Sequence, residues 1–123
     1  MRDLLWLLAW VGVIVVLVVP WREVQDQAQW QRVGWIPFVS PPVKVFDVVA
    51  NVLLYVPFGY LHARLSRHGV WQTLLVAVSL SVACEAAQLF SLHRFPSATD
   101  VACNAIGAWL GARRRTHAAA RAG

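Results

Sequence analysis

Charged residues are scarce in this sequence. Of its 123 residues only 14% are charged, and the six acidic residues are outnumbered by eleven lysines and arginines. Soluble domains carry about a quarter charged residues, so this composition excludes an ordinary soluble domain. Hydrophobic residues make up 59% of the chain, and the length corresponds to a single domain. The composition therefore indicates an integral membrane protein.

Residues that build metal or cofactor sites are scarce too. The two cysteines, Cys84 and Cys103, lie inside apolar runs without metal-site spacing, and free cysteine behaves as a small buried hydrophobe. No two histidines have metal-site spacing either, and we interpret all four as surface residues in loops or in the tail: His62, His68, His93 and His117. There is no phosphate-binding loop or dinucleotide fingerprint. We therefore predict no metal and no cofactor.

The net charge of +5 does not indicate a nucleic-acid partner. The cations lie in short segments between apolar runs, with a cluster at residues 113–115. This distribution is typical of the positive-inside signal that orients membrane proteins. We therefore expect the chain to contact a lipid bilayer and no nucleic acid.

Four apolar runs predict the helices of a membrane bundle: residues 4–19, 43–61, 70–90 and 98–112. The first is about 24 Å long as a helix and the fourth about 22 Å, so both are short for a bilayer core of about 30 Å. A signal peptide is the alternative for the first run, but no small-x-small cleavage pattern follows Val19. We predict an all-α integral membrane bundle of four transmembrane helices in one domain, 1–123. Its basic tail is 113–123, and we expect this tail to be frayed from Thr116 to Gly123.

Residues 21–42, between the first two spans, are rich in tryptophan and glutamine and end in prolines that a continuous helix does not tolerate. We predict an ordered interfacial loop along the membrane surface. With a cytoplasmic N-terminus, seven arginines fall on the inner side and four cations on the outer side. The positive-inside rule then places both termini in the cytoplasm.

Three predicted spans each carry an acid and an amide three or four residues apart, which places each pair on one helix face. In the predicted topology all three pairs lie near the outer surface, with Arg94 in the link beside them. A charged group at a helix centre costs about 2.5–3.5 kcal/mol in a bilayer, so we expect these faces to converge around a polar pocket open to the extracytoplasmic side. The predicted ligand-binding residues are Asp47, Asn51, Glu85, Gln88, Arg94, Asp100 and Asn104.

Each of these residues also has a purely structural interpretation. Asp100 follows Ser97 at the spacing of a capping box, and an acid is favoured in a first helical turn. Glu85 has no such reason at a helix C-terminus, and an ion pair with Arg94 is its best structural role. The three amides would serve as interhelical hydrogen-bonding groups. If the three carboxyls do share a pocket, we expect that they are not all ionised together.

Two further features concern helix packing. Pro57 removes a backbone donor and is expected to kink the second span. Gly107 and Gly111 form a Gly-x-x-x-Gly face in the fourth span, which permits close helix contact and makes a homo-oligomer an option.

The ordered set of polar motifs resembles the VanZ-like family. In order along the chain, the set is Trp35-Ile36-Pro37-Phe38, Asp47-x-x-x-Asn51, Pro57-Phe58-Gly59, Glu85-x-x-Gln88, Arg94 and Asp100-x-x-x-Asn104-x-x-Gly107-x-x-x-Gly111. The resemblance covers residues 35–112. It implies a small multi-pass protein of the bacterial inner membrane, in a family named for a member associated with low-level resistance to the lipoglycopeptide antibiotic teicoplanin.

The leading functional hypothesis is a cell-envelope protein whose outer-leaflet pocket binds the polar headgroup of a lipid-linked cell-wall precursor or a lipoglycopeptide. Arg94 would pair a phosphate or carboxylate, while the amides and acids would orient sugar or peptide groups. The alternative is a membrane-embedded enzyme that hydrolyses or transfers a lipid-linked saccharide, with Asp47, Glu85 and Asp100 as candidate acids and bases. A divalent cation held by the carboxylates and a purely structural scaffold are two further options.

Overall fold

The described part of the chain folds into four α-helices. The computed structural model describes residues 1–22, 24–39, 44–67 and 69–123. The helices are α1 (Arg2–Val18), α2 (Val45–Ser66), α3 (Val70–Gln88) and α4 (Ala98–Ala122). The described residues contain one 3₁₀ turn, Trp30–Arg32, and two isolated β-bridges but no strand. The all-helical class predicted from the sequence is confirmed.

Several local predictions differ from the structure. The tail does not fray after Thr116, because α4 continues to Ala122 through alanines and arginines, which are strong helix formers. His62 was assigned to a loop but lies within α2, where its Nδ1 is 3.1 Å from the Thr73 hydroxyl. Helix α2 also continues through Pro57. The predicted start of the second span at residue 43, and His68, lie outside the described residues.

Neighbouring helices in the chain run in opposite directions. Asp3 at the start of α1 forms an ion pair with Arg64 near the end of α2, with 3.0 Å between carboxylate and guanidinium. Near the other end of α1, Gln88 from the end of α3 donates to the Val18 carbonyl. Helices α1 and α3 are therefore parallel to each other and antiparallel to α2 and α4, and both termini of the bundle lie at one end.

Glycines allow α2 and α4 to approach at backbone distance. A Cβ on Gly107 would collide with the Val52 carbonyl oxygen, and a Cβ on Gly111 would collide with that of Val56. The Gly-x-x-x-Gly face thus packs within the chain, as such faces do when helix backbones touch. Homo-oligomerisation stays a prediction, and it requires a surface other than this face.

The outer faces of the helices are apolar. Helices α2 and α3 are long and apolar enough to cross a membrane, and only 17% and 28% of their apolar windows are buried inside the protein. The core helix of a soluble protein would be mostly buried, so these exposed faces need an apolar solvent. Helix α1 has 17 residues, about 25 Å, and α4 is basic in its second half. Within the described residues, the same length and composition criterion therefore identifies two candidate spans, and the other two of the four predicted spans stay a prediction.

Residues 24–39, which we name the strap, cross over the link between α3 and α4. The strap is held by backbone bonds: the Gln25 N–H donates to the Phe90 carbonyl at 2.8 Å, and the Gln29 N–H donates to that of Leu89 at 2.9 Å. Gly34 forms a parallel bridge with Ser97 just before α4. The strap and the link therefore form one ordered layer at the end of the bundle opposite to the chain termini.

Candidate functional site

A cavity of about 910 Å³ lies at this end of the bundle, between the end of α1, the start of α2, the end of α3, the link and the start of α4. This volume is typical of sites for small molecules, which are about 300–1,000 Å³. The cavity lining includes six of the seven residues predicted to form the pocket: Asp47, Asn51, Glu85, Gln88, Arg94 and Asp100. The structure thus brings these side chains together, while ligand binding by them stays a prediction.

The first turns of α2 and α4 are joined by one hydrogen bond across the cavity wall. The Asn51 amide donates to Asp100 Oδ1 at 3.1 Å and to the Asp47 backbone carbonyl at 2.9 Å. Asp47 is exposed and Asp100 is half-buried, so the two carboxyls meet different amounts of solvent. Asn51 therefore holds one acid in place and leaves the Asp47 carboxyl open to the cavity.

Glu85 is the most buried acid of the cavity, with 6% of its surface exposed. Its Oε2 accepts the backbone N–H of Ser97 at 2.7 Å, at the residue that caps α4. The Ser97 hydroxyl in turn accepts the N–H of Thr99, as an N-cap does. This network explains how an acid is tolerated at the end of α3, because a hydrogen bond from a backbone donor offsets part of its burial cost.

Gln88 and Arg94 both donate to the carbonyl of Val18, each at 3.3 Å. Val18 is the last residue of α1, and the last carbonyls of a helix have no partner within it. The proposed ion pair between Arg94 and Glu85 is not formed among the described residues. Arg94 is exposed, and its backbone N–H donates to the Ser91 hydroxyl. Together with the bond to Val18, this contact keeps the guanidinium beside the cavity.

Asn104 does not line the cavity, although it was predicted to. It is 2% exposed and donates to the Ser81 hydroxyl on α3 at 2.8 Å. Four residues after Asp100, it lies about 6 Å further along α4 and about 40° further around it. Its Oδ1 and the Tyr55 hydroxyl are buried without a hydrogen-bond partner among the described residues. Asn104 is thus part of the polar core between α3 and α4.

Four further polar residues line the cavity but were not predicted to bind ligand: Lys44, His93, Ser97 and Thr99. Lys44 directly precedes α2, three residues before Asp47. This closeness to a predicted site residue is the sequence signal that indicates Lys44 as a lining residue. Apolar residues complete the wall, among them Leu17, Phe46 and Leu54. Phe46 is 81% exposed, so the cavity adjoins an apolar outer surface.

Metal binding has no preformed cluster here. Across the described ranges, no group of three histidine, cysteine or acidic residues is arranged to hold a metal ion. Cys84 and Cys103 are buried and unbridged, as expected for packing residues. The cation alternative therefore depends on residues moving together.

Apolar outer helix faces around a polar cavity define a helical membrane protein. The chain belongs to the VanZ/LLP1 family, whose match extends over residues 4–113. The family resemblance found in the sequence is thereby confirmed, and it extends through α1 as well. No curated protein and no solved structure matches the chain.

Proposed function

We propose that this protein binds the polar headgroup of a lipid-linked cell-wall precursor or of a lipoglycopeptide in the cavity at the strap end of the bundle. In this proposal all four helices span the inner membrane of a bacterium and both termini are cytoplasmic. Ligand capture at the outer leaflet lowers sensitivity to teicoplanin-type antibiotics. The observation that carries the proposal is that polar side chains from three helices and a link line one cavity.

The charges of the cavity suit a headgroup that has both an anionic part and hydrogen-bonding groups. Lys44 and Arg94 are exposed cations in its lining and match a phosphate or carboxylate. Glu85 and Gln88 are buried and match hydroxyl, amide or amine donors and acceptors. Because the lining continues into exposed Phe46, a lipid chain can remain in the bilayer while its headgroup enters.

The aromatic residues of the chain support the proposed orientation. Trp30 and Trp35 on the strap, and Trp21 just before it, are each more than half exposed at the cavity end of the bundle. Tryptophan concentrates in the headgroup zone of membranes. Arginines dominate the opposite end, as the positive-inside rule requires of the cytoplasmic side. Together they favour a cavity at the outer surface.

Binding to defined probes tests the proposal. We expect purified protein in detergent to bind a polyprenyl-diphosphate-linked saccharide or teicoplanin, measured by calorimetry. Arg94→Gln keeps a donor for the Val18 carbonyl but removes the charge, so affinity should fall about ten-fold. The matched control is Arg22→Gln, an outer-side cation that does not line the cavity. Equal binding by both variants would refute this role of the cavity.

The enzyme alternative rests on a specific observation, namely that three carboxyls line one cavity: Asp47, Glu85 and Asp100. Glu85→Gln separates the two functions. If Glu85 is a binding group, Glu85→Gln should weaken probe affinity a few-fold, and the parent protein should form no product. If Glu85 is a general acid or base, Glu85→Gln should lower the turnover of the lipid-linked saccharide about 10²-fold or more, while the affinity for it is kept. Asp26→Asn, an exposed acid outside the cavity, is the control.

A further inference from the structure

A second cavity lies between α1 and α2, at the end of the bundle opposite to the strap. Its volume is about 650 Å³, again within the range of small-molecule sites. Arg2 at the start of α1 and Arg64 in the last turns of α2 stand at one end of its lining. At the other end Trp10 donates its indole N–H to the Leu54 carbonyl at 2.7 Å. The cavity is thus a wedge between two helices, about 12 Å deep along α1.

The charge of this wedge selects an anion. It contains two guanidinium groups and one carboxylate, that of Asp3. Asp3 is 3.0 Å from Arg64, whose guanidinium also lies 5.9 Å from the centre of the Tyr60 ring. Arg2 is exposed and has no ion pair among the described residues. One positive charge is therefore left uncompensated. Helix α1 also begins without a side-chain cap, so its first backbone N–H groups favour an anion at the same place.

The walls of the wedge are largely apolar and suit the hydrocarbon part of a ligand. Trp6 is 62% exposed, and Pro57 and Leu61 face it from α2. A small soluble anion would leave this apolar surface unused. An amphiphile with an anionic head and a hydrocarbon tail uses both parts, and basic clefts between membrane helices bind such lipids.

We propose that the wedge binds one anionic phospholipid, with its phosphate between Arg2 and Arg64 and an acyl chain along Trp6 and Leu61. In the proposed orientation this lipid belongs to the cytoplasmic leaflet. The bound lipid fills the space between α1 and α2, which are otherwise joined here by the ion pair of Arg64 with Asp3. This site is separate from the cavity at the strap end of the bundle, shares no lining residue with it and does not depend on its ligand.

Two substitutions that break the same ion pair distinguish lipid binding from a structural role. Arg64→Gln removes a cation from the wedge, whereas Asp3→Asn removes its acid. We expect the full-length protein in neutral detergent to bind phosphatidylglycerol in preference to phosphatidylcholine, measured by native mass spectrometry and by the shift in unfolding temperature. Arg64→Gln should lower the preference about five-fold, the effect of one cation near an anionic surface, and Asp3→Asn should raise it.

The control is Arg121→Gln, a basic residue at the same end that does not line the wedge. It should leave the preference unchanged. The proposal is overturned if the parent protein shows no preference, if Arg121→Gln lowers it as much as Arg64→Gln, or if Asp3→Asn and Arg64→Gln change it in the same direction. Glycerol phosphate is the chain-free probe, and equal binding of it would show that the site takes soluble phosphates rather than lipid.

Discussion

The sequence Asp-Val-x-x-Asn occurs twice in this protein, in the first turns of two parallel helices, and its two copies have different surroundings. In α2 the copy contains Asp47 and Asn51, and it is exposed or half-buried beside the cavity. In α4 the copy contains Asp100 and Asn104, whose amide is buried against Ser81. One amide therefore orients the wall of a cavity, and the other joins two helices.

The difference comes from the residues that follow each copy. Helix α4 continues into Gly107 and Gly111, which bring its backbone against α2 and draw Asn104 into the core. Helix α2 begins further from its neighbours, with Val45 and Phe46 about four-fifths exposed. The motif thus lies at the same position in both helices, while tertiary packing decides which copy is accessible to a ligand.

The largest effect is expected where the packing of α4 is broken. Gly107→Val places a branched side chain against the Val52 carbonyl and 3.1 Å from Tyr55 Cβ, so the helices must separate. We expect a loss of about 3 kcal/mol or more in the free energy of unfolding, measured in mixed micelles. Gly12→Val is the control, because nothing lies within 4 Å of a Cβ at Gly12. Equal stability of the two variants would contradict the packing of α4 on α2.

The two asparagines provide a direct comparison of the copies. Asn104→Ala removes a buried amide and leaves Ser81 without its partner, so we expect a loss of about 2 kcal/mol in the free energy of unfolding. Asn51→Ala should cost about 0.5–1 kcal/mol, because Asn51 is half-buried and its partner Asp100 reaches the cavity.

Probe binding should show the opposite order. Asn51→Ala changes the wall of the cavity and should weaken binding of the lipid-linked saccharide several-fold, whereas Asn104→Ala should leave affinity unchanged in the fraction that folds. If Asn51→Ala costs as much stability as Asn104→Ala, or if Asn104→Ala alone weakens binding, the distinction between the two copies is wrong.

Helical spacing predicts which side chains share a face of a single helix. It placed Asp47 with Asn51 and Glu85 with Gln88, and these four line the cavity. It failed for Asn104, which lies one helical turn deeper in the bundle than Asp100. Which way α4 turns this side chain depends on the contact of its glycines with α2. The same periodicity indicated that the Gly-x-x-x-Gly face would meet a helix. Which helix it meets, α2 or a second chain, is decided by tertiary packing that no local pattern encodes.

A small effect is expected at the strap, which contacts α4 directly before Asp100. The Thr99 hydroxyl accepts the Phe38 N–H at 2.8 Å, and Phe38 has a left-handed backbone with φ of 62°. Thr99→Val keeps the shape but leaves this donor unpaired, at a cost of about 1 kcal/mol. Hydrogen exchange should show faster exchange of the Phe38 amide, since its strained conformation then lacks a bond that holds it. Ser79→Ala, which removes an exposed hydroxyl bonded within α3, should change neither quantity. Unchanged protection of Phe38 in Thr99→Val would mean that the strap is held over α4 by its other backbone bonds alone.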